Sequence, residues 1–125
     1  MCDTLVFRTD DGELFFAKNS DRPPDEPQVV EYNPPASRSK KIRMTYVDAE
    51  VSGEVIGNII SRPYWMWGAE MGFNQEGVSI GNEAIFTKRK FNDIGMTGMD
   101  LLRLGLEEAR TSKRALEIMC GYVEN

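Results

Sequence analysis

A cysteine at position 2, directly behind Met1, stands in a chain of 125 residues that contains no histidine. Methionine aminopeptidase removes Met1 where the second residue is small, and cysteine qualifies. The mature chain would then begin with a thiol and a free α-amino group on one residue. That pairing is a nucleophile with a built-in base. An α-amino group titrates near ~7.7–8.0 and a thiol near ~8.5, so the amine can take the thiol proton near neutral pH. Without histidine, no Ser-His-Asp or Cys-His arrangement can be assembled. Zinc sites that use imidazole are excluded as well. A base for nucleophilic chemistry must come from elsewhere, and the N-terminus supplies one. The plain alternative is a cysteine that happens to begin the first strand.

Three further groups could serve Cys2. The run Lys18-Asn19-Ser20-Asp21-Arg22 closes a hairpin that starts near Cys2, so its polar groups return to the N-terminus. A carboxylate such as Asp21 could hold and orient the amine, and a cation such as Lys18 or Arg22 would favour the thiolate. Asp21 also reads as a turn cap before the prolines, and Lys18 as a surface strand residue. Asn82, after Gly81, could supply an oxyanion hole from its side-chain amide together with a backbone N–H. Such a donor is worth ~2.7–4 kcal/mol in catalysis. Asparagine at a strand end is also ordinary. Trp65 and Trp67 flank Met66, and alternation puts both on one face, as core or as the wall of a substrate pocket. Asp93, Asp100 and the scattered glutamates show no metal-ligand spacing, so neither metal nor cofactor is expected. Gly72, Gly77 and Gly81 belong to hairpin turns, not to a phosphate loop.

The elements that must position these groups read as strands first and helices last. Thr4–Arg8 and Glu13–Lys18 flank the turn Asp10-Asp11-Gly12 and form a hairpin. Prolines 23, 24 and 27 force an extended loop. Strands are expected at Gln28–Tyr32, Ile42–Val47 and Val55–Ser61, and a second hairpin at Ala69–Asn74 and Val78–Glu83. Thr97 and Asp100 fit a capping box. Met99, Leu102, Leu106 and Ala109 then give the apolar face of a first helix. A second helix starts at Thr111 or Ser112 with the stripe Ala115, Leu116, Met119, Cys120 and Val123, in which Cys120 reads as buried core. The whole is one domain over residues 1–125, β-rich over 1–90 and helical over 97–124, of the α+β class. Two helices cover one face of a sheet. The other face is solvated, or covered by another chain, or the sequence is a piece of a longer one.

Composition bounds the partners. The net charge of −5 argues against nucleic acid, because phosphate binding needs a basic footprint. Arg38, Lys40, Lys41 and Arg43 form the one basic cluster and read as a solvated loop. Two cysteines at opposite ends of the chain make no disulfide framework. No apolar run reaches membrane-spanning length, and Leu5-Val6-Phe7 is too short for a signal peptide. A cytoplasmic, reducing setting is expected, which keeps Cys2 a free thiol.

Met1-Cys2-Asp3-Thr4, the run from Phe16 to Pro23, Trp67-Gly68-Ala69-Glu70-Met71-Gly72 and Gly81-Asn82-Glu83-Ala84 together resemble the secernin and cysteine dipeptidase family. These are N-terminal-nucleophile (Ntn) hydrolases, relatives of bile-salt hydrolases and penicillin V acylases. The resemblance runs from residue 1 to about residue 120. It implies the N-terminal part of a four-layer αββα sandwich, antiparallel strands first, followed by two helices. It implies Cys2 as nucleophile with its own amine as base, Asp21 beside the N-terminus and Asn82 in the oxyanion hole. Lys18 falls where the bile-salt hydrolase branch carries arginine, and lysine fits the secernin-like branch. The implied reaction is hydrolysis of the C–N bond of a dipeptide or small amide through an acyl-enzyme. Family members are usually longer, and the asparagine and arginine expected downstream have no counterpart here. The expected partners are therefore a small peptide or amide substrate, and either a second copy of the chain or the downstream half of the domain. A non-catalytic, self-associating or partner-binding remnant of the same fold is the competing expectation.

Overall fold

The computed structural model describes residues 2–88, 90 and 94–124, without the side chains of residues 39, 40 and 52. Met1, expected to be removed, and Asp93 lie outside the described residues. The architecture is mixed α+β, with antiparallel strands followed by two helices.

Strands β1 (Asp3–Arg8) and β2 (Leu14–Asn19) form a two-stranded hairpin. Its turn is closed by Thr9 N–H donating to Glu13 O at 2.9 Å and Gly12 N–H to Thr9 O at 3.0 Å. Strand β3 (Gln28–Asn33) pairs with β6 (Asn58–Pro63), which pairs with β7 (Met71–Asn74) and then β8 (Ser79–Gly81) in one antiparallel sheet. Strands β4 (Ala36–Arg43) and β5 (Asp48–Val55) make a separate antiparallel ribbon. Helix α1 spans Gly98–Glu108 and helix α2 spans Ser112–Glu124.

Period-two alternation sorts the four-stranded sheet into two faces. The row Glu31, Ile60, Gly72 and Ile80, fixed by the register, points to α1. Ile60 and Val78 pack there with Leu102, Leu106, Ala109 and, from α2, Ala115. The opposite face carries Val30 and Tyr32 from β3, Ile59 from β6, and Met71 and Phe73 from β7. The hairpin β1–β2 reaches this face at its β8 side. A Cβ on Gly81 would lie 2.9 Å from both Phe16 Cζ and Lys18 Cδ, so only glycine lets β2 approach this closely.

Helix α1 is anchored at both ends by buried polar groups. Thr97 is its N-cap and closes the capping box with Asp100. The Asp100 carboxylate also accepts from Thr45 Oγ1 at 2.5 Å, which ties the β4–β5 turn to the helix. At the other end, buried Asn74 donates from Nδ2 to the carbonyls of Leu106 (2.9 Å) and Ala109 (2.7 Å). Its Oδ1 accepts from the N–H groups of Glu76 and Val78 at 3.1 and 3.0 Å. One side chain thus fixes the β7–β8 turn and caps α1.

Several sequence expectations need correction. Residues 42–47 do not form a strand of their own: Ile42 and Arg43 end β4. Strand β4 runs earlier, and residues 44–47 make the turn, with Met44 N–H donating to Val47 O at 2.8 Å. The segment 55–61 is split between β5 and β6 by residues 56 and 57. The basic cluster lies on β4, not in a solvated loop. Arg38 is drawn in by the buried Glu107, to which its guanidinium donates at 2.6 Å. Cys120 is exposed, not buried. Residues 115, 118, 119 and 122 face α1, and Leu116, Cys120 and Val123 are rotated outward. Two adjacent apolar stripes satisfy the same helical period, and only the position of α1 chooses between them.

Asn74→Ala removes four hydrogen bonds at a buried junction, and unsatisfied buried groups cost ~1–3 kcal/mol each. We expect a loss of about 2–4 kcal/mol in urea unfolding, with the surface variant Glu76→Ala within about 0.5 kcal/mol of the unchanged protein.

Candidate active site

The register of the first hairpin delivers polar groups to the N-terminus. Asp3 pairs with Asn19 and Thr4 with Lys18. Cys2 therefore stands across from Ser20, with Asp21 and Arg22 the next residues along. The β7–β8 ladder ends at Met71 and Gly81, and the pairing continues one residue further, with Asn82 N–H donating to Glu70 O at 2.9 Å. These two strand ends and the first turn of α1 enclose a cavity of about 260 Å³. Cys2, Asp21, Arg22, Glu70, Asn82 and Met99 are among its lining. Residues far apart in sequence thus meet because two hairpins end at the same place.

Electrostatics within the cavity centre on the N-terminus and on Glu70. The Asp21 carboxyl is held below the usual carboxylate range by the positive charge of the chain's amino terminus, with desolvation opposing. It stays ionised at neutral pH. Glu70 is buried, accepts from Ser20 Oγ at 3.3 Å and lies 3.5 Å from the Arg22 guanidinium. Arg22 is raised above its usual value chiefly by a 2.6 Å hydrogen bond to Glu26, with smaller contributions from the charges of Glu26, Glu70 and Cys2. The Arg22 guanidinium thus lines the same cavity as Cys2. Among the described residues no group of three or more Cys, Asp or Glu is placed to hold a metal ion.

Asn82 is positioned by α1. A Cβ built on Gly98 would come within 2.6 Å of Asn82 Oδ1. The carboxamide thus lies against the start of the helix, and the glycine makes room for it. Cys2, Asp21 and Asn82 are brought together by the structure. Lys18 is not in the cavity lining. Its covered side chain lies over Gly81, with Nζ 3.4 Å from Glu83 Oε1. Thr4 Oγ1 donates to the same Glu83 oxygen. Lys18 and Thr4 thus tie the first hairpin to the end of β8 and hold Cys2 beside Asn82.

Trp65 and Trp67 are not brought to this cavity. They line another depression, of about 360 Å³, with Arg43, Arg62 and Arg103. Trp67 lies under the Arg103 guanidinium at 4.6 Å, and Trp65 Nε1 donates to Glu26 at 3.1 Å. The residue that the sequence reading passed over is Glu70. It sits inside Trp67-Gly68-Ala69-Glu70-Met71-Gly72, and an acidic residue among so many apolar and small neighbours is the signal that could have found it.

No family model matches the sequence, and no solved structure matches the chain.

Glu83 is held below the usual carboxylate range, first by the Thr4 hydroxyl and then by the charge of Lys18, with burial opposing. A depressed carboxylate contributes stability above its unfolded pKa, and that contribution is lost as pH falls through the folded value. Amide exchange in β1 and β2 should therefore accelerate relative to β6 below about pH 4.3. Glu83→Gln should remove that pH dependence. An unchanged profile in the variant would refute the tie.

Proposed function

We propose that this chain is the nucleophile-bearing part of a cysteine-type Ntn hydrolase of the secernin and dipeptidase kind, cleaving the C–N bond of dipeptides or small amides. The observation that carries the reading is the meeting of Cys2, Asp21 and Asn82 in one cavity. On this reading Met1 is removed and the α-amino group of Cys2 becomes the base. It takes the thiol proton, and the thiolate adds to the substrate carbonyl. Asn82 donates to the developing oxyanion. Collapse of the tetrahedral intermediate breaks the C–N bond, and the amine leaves with the proton held by the α-amino group. Water then adds to the thioester, releasing the acid and restoring the thiol. Asp21 orients the amine, and Arg22 favours the thiolate. Lys18 acts through Glu83 as a positioning residue.

The same reading makes the observed sheet and helices layers of a four-layer αββα sandwich. It also sets the protein in the reducing cytoplasm, where both cysteines stay free thiols. Among the described residues no helix is long and apolar enough to cross a membrane. A second reading, favoured by the exposed Val30, Tyr32 and Phe73 on the sheet face away from α1, is a non-catalytic, self-associating or partner-binding remnant of the same fold.

The mature protein should begin at Cys2 by intact mass. Cys2→Ala should abolish dipeptide hydrolysis, while Cys120→Ala should leave it within about twofold. Asn82→Ala should lower kcat about 100- to 1000-fold. Retained Met1 would block the base as an amide. That result, or full activity in the Cys2→Ala protein, would sink the hydrolase reading.

A further inference from the structure

The proposed steps give Glu70 no role, although it is the buried acid of the Cys2 cavity, at 3% exposed. Burying a carboxylate is costly, and a neutral side chain of similar size would close this strand end at less cost. Stability alone therefore does not account for it. The backbone around Glu70 is held from three sides. Glu70 N–H donates to Ser61 O of β6 at 2.9 Å, and Glu70 O accepts from Asn82 N–H at 2.9 Å. The preceding Ala69 N–H donates to Met99 O of α1 at 3.0 Å. Gly68 lies so close to the same helix turn that a Cβ there would be 2.4 Å from the Met99 carbonyl carbon. The Glu70 side chain thus projects from a fixed point.

The segment that carries Asp21 is framed differently. Residues 20–22 follow β2 and belong to no strand or helix, so their side chains must help to place them. Ser20 Oγ donates to Glu70 Oε2 at 3.3 Å, and Arg22 Nη1 lies 3.5 Å from Glu70 Oε1. Both neighbours of Asp21 thus reach one carboxylate. Both are half-buried, whereas Asp21 is exposed. In an extended segment alternate residues point to opposite sides. Holding Ser20 and Arg22 inward turns Asp21 the other way, where it meets the positive charge of the amino terminus. Arg22 is shared with Glu26 at 2.6 Å, so two carboxylates occupy the guanidinium next to Asp21.

We propose that Glu70 is a positioning residue: by holding Ser20 and Arg22 from the buried side, it fixes Asp21 beside the amine of the mature chain and so sets the protonation of the base. The proposal rests on the hydrolase reading for one point, that Cys2 begins that chain. A carboxylate held beside an ammonium raises the pKa of the amine. Releasing Asp21 should therefore lower it. The other charges around this amine are Asp3 on its own strand, Arg22 and Glu83 in the cavity lining, and Lys18, paired with Glu83 at 3.4 Å. Asn82 and Met99, from β8 and α1, carry none.

The test is a pH titration of the chain prepared to begin at Cys2, with carbon-13 in its cysteines. The Cys2 Cα NMR shift reports the amine, and Cys120 serves as internal reference. Asp21→Asn should lower the amine midpoint by about 0.3–0.7 pH unit, the size of an exposed ion pair. Glu70→Gln keeps an acceptor for Ser20 but loses the charge that holds Arg22. It should lower the midpoint by about half as much, and by nothing further once Asp21→Asn is present. Ser20→Ala leaves the buried charge in place and should also lower the midpoint, which keeps the test open should the Glu70 variant not fold. A midpoint that moves in neither variant overturns the proposal. So does a Glu70→Gln shift that adds in full to that of Asp21→Asn, because Glu70 would then act through its own charge. The titration needs no turnover, so the two readings fail separately. A chain that shows these shifts but cleaves no dipeptide refutes the hydrolase reading alone. One that cleaves dipeptides, with a midpoint indifferent to Glu70→Gln and Ser20→Ala, refutes only the positioning role.

Discussion

The position of helix α1 is the constraint on which the rest of this structure depends. Its capping box ends in Asp100, a fully buried carboxylate shared with Thr45 of the β4–β5 turn. Its far end is closed by Asn74 from the β7–β8 turn. Between these points buried Glu107 accepts from Arg38 of β4 at 2.6 Å and from Arg103 at 2.8 Å. Apolar burial supplies the attraction of the helix for the sheet, but it is not directional. The polar contacts select one register, because sliding the helix would leave buried groups unpaired.

That register sets the site. Gly98 and Met99 lie in the first turn of α1. The glycine leaves room for the carboxamide of Asn82, and Met99 lines the cavity that also holds Cys2. The other half of the site comes from the first hairpin, which Thr4, Lys18 and Glu83 fasten to the end of β8. Cys2 and Asn82 therefore sit on separate elements. Gly98 makes room for Asn82 from the first turn of α1, and Glu83, which fastens the hairpin, is itself part of the cavity lining.

The sheet has two faces of different character. One is closed by α1 and α2. The other is apolar, free of charge and open to a groove beside the hairpin. A two-stranded hairpin is marginally stable on its own, and β1 and β2 have little packing beyond Gly81 and the contacts of Glu83.

Local signals in the sequence determined the hairpins and the first helix. Asp10-Asp11-Gly12 and Gln75-Glu76-Gly77 mark turns, Thr97 and Asp100 mark a cap, and each acts over a few residues. Because hairpin pairing follows from the turn, the nearness of Asp21 to Cys2 was legible as well. The arrangement of β4, β5 and α2 was not. Residues 42–47 alternate loosely as a strand would, yet residues 44–47 turn where Thr45 meets Asp100, 55 residues away. Cys120 belongs to an apolar stripe and is nonetheless exposed, because α1 packs against the neighbouring stripe. The same distinction separates Asn82 from Trp65 and Trp67. Asn82 follows a strand end whose register is local, whereas the tryptophans sit where Arg103 and Glu26 hold them. Short-range chemistry fixes an element and its immediate partner. Which of two apolar faces is buried depends on the surface it meets, and only the tertiary structure supplies that surface.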